Sequence, residues 1–115
     1  MSKMTILLVE AGTHPVRTEI MGDLASMQRM VGGPIQAVYP FQEEEVALIC
    51  NEEGKLDGLP LNRVLKDVDG TIYDVIAGTF FLCGAPPDAE SFTGLSEEQL
   101  QRYEELFHDV ELFLD

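Results

Sequence analysis

Basic side chains are scarce in this chain. Seven lysines and arginines stand against twenty-one aspartates and glutamates in 115 residues, for a formal net charge of −14. A field of that sign repels nucleic-acid phosphates and anionic membranes and attracts basic partners, so direct DNA or RNA binding is not expected. Cysteine is nearly absent too: Cys50 and Cys83 each sit inside an apolar run, with no CxxC pair. That pattern excludes a disulfide framework, predicts two buried thiols and fits a reducing, cytoplasmic compartment. Long apolar runs are missing as well. The N-terminal one, Met4–Val9, reaches only Glu10, too short for a signal peptide or a membrane span.

Complete chemical motifs are also lacking. His14 and His108 are far apart in sequence, without an HxxxH pair or a neighbouring cysteine, so no zinc site is expected. His14 is assigned to a helix N-terminus and His108 to an exposed rim. No GxSxG or comparable nucleophile turn occurs, which leaves Ser/His/Asp catalysis unsupported. Gly32–Gly33 follows a helical stripe instead of joining a strand to a helix N-terminus, so it is no phosphate cradle. Asp67-Val-Asp69-Gly70-Thr71 matches the nucleophile motif of haloacid-dehalogenase-type phosphatases, in which one aspartate attacks phosphorus and Mg²⁺ neutralises the phosphate. Here the polar stretch Asn62–Lys66 precedes it instead of a buried strand, no lysine follows Lys66, and only 44 residues remain after Thr71. The same acids set on an EF-hand loop place Leu65 and Ile76 where carboxylates are required. The segment reads as a polar turn. No catalytic residue, cofactor or metal is expected, and the chain is read as not an enzyme.

What is present is enough apolar content, 45% of residues, to fold one globular domain over 1–115. Charge within it is uneven. Residues 1–40 balance, and residues 41–115 carry eighteen acids against four bases, the whole of the net charge. Thr5–Val9 reads as a buried strand. Val16, Ile20, Leu24, Met27 and Val31 then trace a helical stripe, with Thr13 as N-cap, Pro15 in the first turn and Gly32–Gly33 as the stop. Ile35–Tyr39 and Val46–Cys50 read as strands, separated by the acidic run Glu43–Glu45. Asn51–Gly54 has turn composition, with Lys55–Leu56 pairing back as a short arm and an irregular or helical piece running on through Lys66. Ile72–Cys83 reads as the longest strand, interrupted at Ala77–Gly78. Ser96 with Gln99 forms a capping box for a last helix whose apolar face comprises Leu100, Tyr103, Phe107, Val110 and Leu114, with Leu106 and Phe113 beside them. This order predicts an α+β fold: a four- to five-stranded mixed or antiparallel sheet with an N-terminal and a C-terminal helix packed on it.

Between two core strands, Asn51–Arg63 (NEEGKLDGLPLNR) is the least core-like stretch, and such loops are where binding residues are displayed. Asn51, Glu52, Asn62 and Arg63 are the candidate ligand-binding residues, with Arg63 suited to a carboxylate or phosphate. The structural alternative is that the asparagines bond backbone in turns and Arg63 pairs with an acid. VGGPIQAV (Val31–Val38), VALICNEEGKLDGLPLNR (Val46–Arg63) and DVIAGTFFLCG (Asp74–Gly84) resemble, in that order, a family of small bacterial and phage proteins known as domain of unknown function 3846. The resemblance implies a compact domain carried on phages, plasmids and conjugative elements, without an assigned activity. The expectation is a non-enzymatic interaction protein of such origin that binds a basic protein partner. The alternative is a small-ligand module built on the Asn51–Arg63 hairpin. Exposed edge strands would allow a homodimer.

Overall fold

The computed structural model describes residues 3–41 and 44–113. Glu43 of the acidic run and Leu114 of the last apolar stripe lie outside those residues. Among the described residues the chain runs β1 (Lys3–Val9), β2 (Val16–Met21), α1 (Leu24–Val31), β3 (Ile35–Val38), β4 (Val46–Asn51), β5 (Leu61–Lys66), β6 (Ile72–Ala77), β7 (Phe80–Gly84) and α2 (Glu97–Leu106). Five strands form one antiparallel sheet in the order β2-β1-β7-β4-β3, and β5 pairs with β6 in a separate antiparallel sheet.

The two most apolar strands, β4 and β7, are buried at every residue because both faces of the larger sheet are covered. Side chains alternate across a strand, so Val46, Leu48 and Cys50 enter one core and Ala47 and Ile49 the other. The first core is closed by Leu65 of β5, Ile76 of β6, and Leu100 and Tyr103 of α2. The second is closed by Met27 and Val31 of α1. The molecule is therefore a single mostly-sheet domain in three layers. Each fully buried leucine, isoleucine or phenylalanine contributes about 1.5–3 kcal/mol, so β4 and β7 are the fold's chief energetic source.

The expected N-terminal helix is half strand. Val16 and Ile20 stand four apart, which satisfies alternation as well as a helical turn, and Thr18 between them makes every second residue β-branched. Val16–Met21 pairs with β1 from Leu8 opposite Val16 to Lys3 opposite Met21. Thr13 is no helix cap: its hydroxyl donates to the Glu10 carbonyl in the β1–β2 turn. The helix begins later, behind Asp23, whose carboxylate accepts from the Ser26 amide and hydroxyl, and it ends as expected at Gly32, φ 79°.

Lys55–Leu56 makes no hairpin arm, since residues 52–58 form successive turns. Leu61–Lys66, expected irregular or helical, is β5. Ile72–Cys83 is two strands in different sheets, and the break at Gly78 (φ 87°) carries the chain from one sheet to the other. The Ser96–Gln99 capping box is present, but α2 stops at Leu106, so Val110 follows in irregular chain. Among the described residues no helix is long and apolar enough to cross a membrane.

Candidate functional site

Of the four residues singled out in the sequence, three turn inward. Asn51 ends β4, where its Nδ2 donates to the Val31 carbonyl (3.3 Å) and its Oδ1 accepts from the Glu53 amide (2.8 Å). Val31 is the last residue of α1, so Asn51 satisfies a carbonyl that the helix leaves without a partner. Gly33 makes room for this: a Cβ there would lie 2.7 Å from Asn51 Nδ2.

Asn62 and Arg63 are both 0% exposed. Asn62 Nδ2 donates to the carbonyls of Val9 and Gly78, each at 2.9 Å, and its Oδ1 accepts from Arg63 Nη1 at 2.8 Å. Arg63 also donates through Nε and Nη2 to the Phe107 carbonyl (3.2 and 3.0 Å), and through Nη2 to the Thr13 carbonyl (2.7 Å). Burial lowers the Arg63 pKa from its ordinary value, and the carboxylates of Glu111 and Asp109 oppose that shift. Glu111 also accepts from the Val64 amide, which ties the chain after α2 to β5. Asn51, Glu52, Asn62 and Arg63 do not converge on one site. Asn62 and Arg63 spend their hydrogen bonds on backbone, joining the ends of β1 and β6, the β1–β2 turn and the exit of α2. Asn51 and exposed Glu52 instead line a cavity of about 140 Å³, together with Cys50, Lys55 and Asp74. The reason is electrostatic: a guanidinium removed from water needs several acceptors, and converging backbone carbonyls supply them.

These bonds connect the segments VGGP, NEEG, LPLNR and AGTF, which are distant in sequence. A family model described as Domain of unknown function (DUF3846) matches residues 4–108. The chain belongs to the DUF3846 family. The match runs from β1 to just past α2, wider than the three segments whose resemblance was legible in the sequence. No curated protein and no solved structure gives a significant match.

A larger concavity of this DUF3846 chain, about 1050 Å³, lies elsewhere, between α2, the β5–β6 turn and the segment after β3. Tyr39, Val68, Tyr73 and Leu106 line it, and they account for four of the ten large apolar side chains exposed among the described residues. Phe41 and Tyr103 form its floor, with ring centroids 4.6 Å apart. Lys66, Asp67, Glu105 and the ion pair Arg102–Glu44 complete the wall. Sequence reasoning assigned Leu106 to the core face of the last helix, yet it is 58% exposed. The available signal was angular: Leu106 stands six residues after Leu100, which at 3.6 residues per turn puts it about 120° around α2 from that buried side chain.

Other nominated features resolve into structure. Asp67 and Asp69 both accept from the Thr71 amide in the β5–β6 turn, and their hydrogen bonding with each other and with Thr71 holds Asp69 down at about 2. Cys50 and Cys83 are buried thiols facing opposite cores; burial raises both, Cys83 to about 12. His14 lies in the β1–β2 loop, not at a helix N-terminus, and its ring stacks on His108 with centroids 4.4 Å apart. Among the described residues no group of three or more histidine, cysteine, aspartate or glutamate side chains could share a metal ion.

Proposed function

We propose that this DUF3846 chain is a non-enzymatic interaction protein, of the mobile-element origin its family resemblance implies, and that the groove beside α2 receives a segment of a basic partner protein. The observation that carries this reading is the gathering of Tyr39, Val68, Tyr73 and Leu106 along one concavity. Clustered exposed apolar side chains with a charged rim mark interaction surfaces, and tyrosine is enriched at the residues that dominate binding energy. Chemistry of the partner follows from charge. The groove's own wall holds Glu44, Asp67 and Glu105 against Lys66 and Arg102, and the chain as a whole carries −14. Lysine or arginine flanking an apolar or aromatic anchor complements both features.

The test is capture from a host lysate by the native chain and by the double variant Tyr73→Ala/Leu106→Ser, at low and high salt. Both side chains are exposed, so folding is preserved. The native chain is expected to retain a basic protein, less strongly as salt rises past the ~10 Å screening length of 0.1 M. Loss of a central tyrosine anchor costs about 2 kcal/mol, roughly thirtyfold in affinity. Identical capture by the variant, or a partner held independently of salt, would overturn the reading. A concentration-dependent homodimer that buries Tyr73 would also overturn it, in favour of self-association.

A further inference from the structure

A sheet edge exposes backbone donors and acceptors unless something caps it. On β5 the outward amide of Val64 donates to Glu111 (3.2 Å), and on β6 the outward amide of Val75 donates to Asp74 Oδ1 (2.8 Å). β2 lies at the far end of the larger sheet from the groove. β3 is different. The Pro34 carbonyl accepts from the Glu52 amide (2.8 Å), which fixes the parity of the β3–β4 ladder. Gln36 and Val38 therefore bond β4, while Ile35 and Ala37 send their N–H and C=O groups outward. Among the described residues the side-chain bond that reaches β3 is from Cys50 to the Gln36 carbonyl, and none reaches Ile35 or Ala37. Pro34 and Pro40 bound this edge and leave Ile35–Tyr39 open for pairing.

We infer, building on the groove reading, that the segment of the basic partner binds as an extended strand added to the free edge of β3. The open edge and the groove are continuous. Gln36 and Val38 of β3 share the walls of the small cavity with Asp74 and Val75 of β6, and Tyr39 and Tyr73, one residue further along each strand, line the groove. A strand laid on Ile35–Tyr39 gains main-chain bonds from Ile35 and Ala37 and passes into the groove without turning. Its alternate side chains on the face shared with Gln36 and Val38 meet the cavity and the groove. Five acids and three bases line those two hollows together, and two of the bases, Lys55 and Arg102, are already paired with Asp74 and Glu44. An aromatic anchor with lysine or arginine two residues to either side complements that lining, and β-branched residues between them suit the pleat. Main-chain pairing supplies affinity that does not depend on sequence, and the alternate side chains supply the choice of partner.

The probe is the acetylated, amidated peptide Thr-Lys-Val-Tyr-Val-Lys-Thr, titrated into the full chain and followed by amide shifts and hydrogen exchange. Saturable binding is expected, with exchange at the Ile35 and Ala37 amides slowed at least tenfold. Two further peptides carry N-methyl groups, one on the lysines and tyrosine, the other on the valines. An added strand pairs through one edge alone, so one of these peptides binds at least tenfold more weakly and the other binds as the parent does. Ala37→Pro removes an amide that bonds nothing within the chain, keeps the native Tm and also weakens binding at least tenfold. The N-methyl pair reads the same contact without altering the protein. Equal affinity of both methylated peptides with the parent, or unslowed exchange at Ile35 and Ala37 in the saturated chain, overturns strand addition while leaving the groove reading intact. Native affinity in Tyr73→Ala/Leu106→Ser overturns the groove reading instead, and no binding of the parent peptide by the native chain overturns both.

Discussion

Replacing Arg63 by alanine separates a structural clasp from a recognition residue. The substitution strips the Thr13 and Phe107 carbonyls of their guanidinium donors, frees Asn62 Oδ1, and leaves a void where a side chain was 0% exposed. An orphaned buried polar group costs about 1–3 kcal/mol, and the emptied volume adds to that, so a loss of about 4 kcal/mol is expected. The whole domain is stable by about 6–17 kcal/mol at ~0.05–0.15 kcal/mol per residue. An unfolding entropy of ~2.1 cal/mol/K per residue gives about 0.24 kcal/mol/K for this length, so Tm falls by about 16 °C. Thermal unfolding by circular dichroism measures this, with Lys66→Ala as an exposed control that changes little. Arg63→Lys keeps the charge but not the planar fork, and recovers only a minor part of the loss. A Tm for Arg63→Ala within about 4 °C of native would refute the clasp, since that corresponds to only about 1 kcal/mol.

Two further outcomes follow from the same structure. Arg17 on β2 bonds Glu104 (2.8 and 3.0 Å) and Glu97 (2.9 Å) on α2, and those bonds hold both glutamates below the usual carboxylate range. Their folded values lie below the unfolded ones, so the contribution is fully present above about pH 4.3 and is lost as pH falls through the folded values. Urea midpoints of native and Arg17→Gln chains should therefore differ at pH 7 and converge towards pH 3; a gap that widens on acidification would refute this sign. Gly78→Ala puts a Cβ at φ 87° and 2.7 Å from Leu59 Cδ1, at the point where the chain changes sheets. It is expected to cost about 2–4 kcal/mol in a urea titration, and a neutral result would show that the β6–β7 link relaxes freely.

The sequence by itself determined that one acidic domain folds around Val46–Cys50 and the run ending at Cys83, that Gly32 and Ser96 bound helices, and which family the chain resembles. These are local properties: hydrophobic runs, capping residues and glycines act within a few residues of themselves. It misread Val16–Met21 because a spacing of four serves helix and strand alike, and only pairing with β1 decides between them. It left Asn62 and Arg63 open between ligand binding and a structural role, because polar residues between strands can serve either. Their burial is settled by carbonyls from Val9, Thr13, Gly78 and Phe107, which no spacing rule brings together. Tertiary structure alone decided that Leu106 faces a groove and that His14 meets His108 across ninety-four positions. The physical reason is the same in each case: a side chain's environment is set by long-range backbone convergence, and the sequence encodes that only through the whole fold.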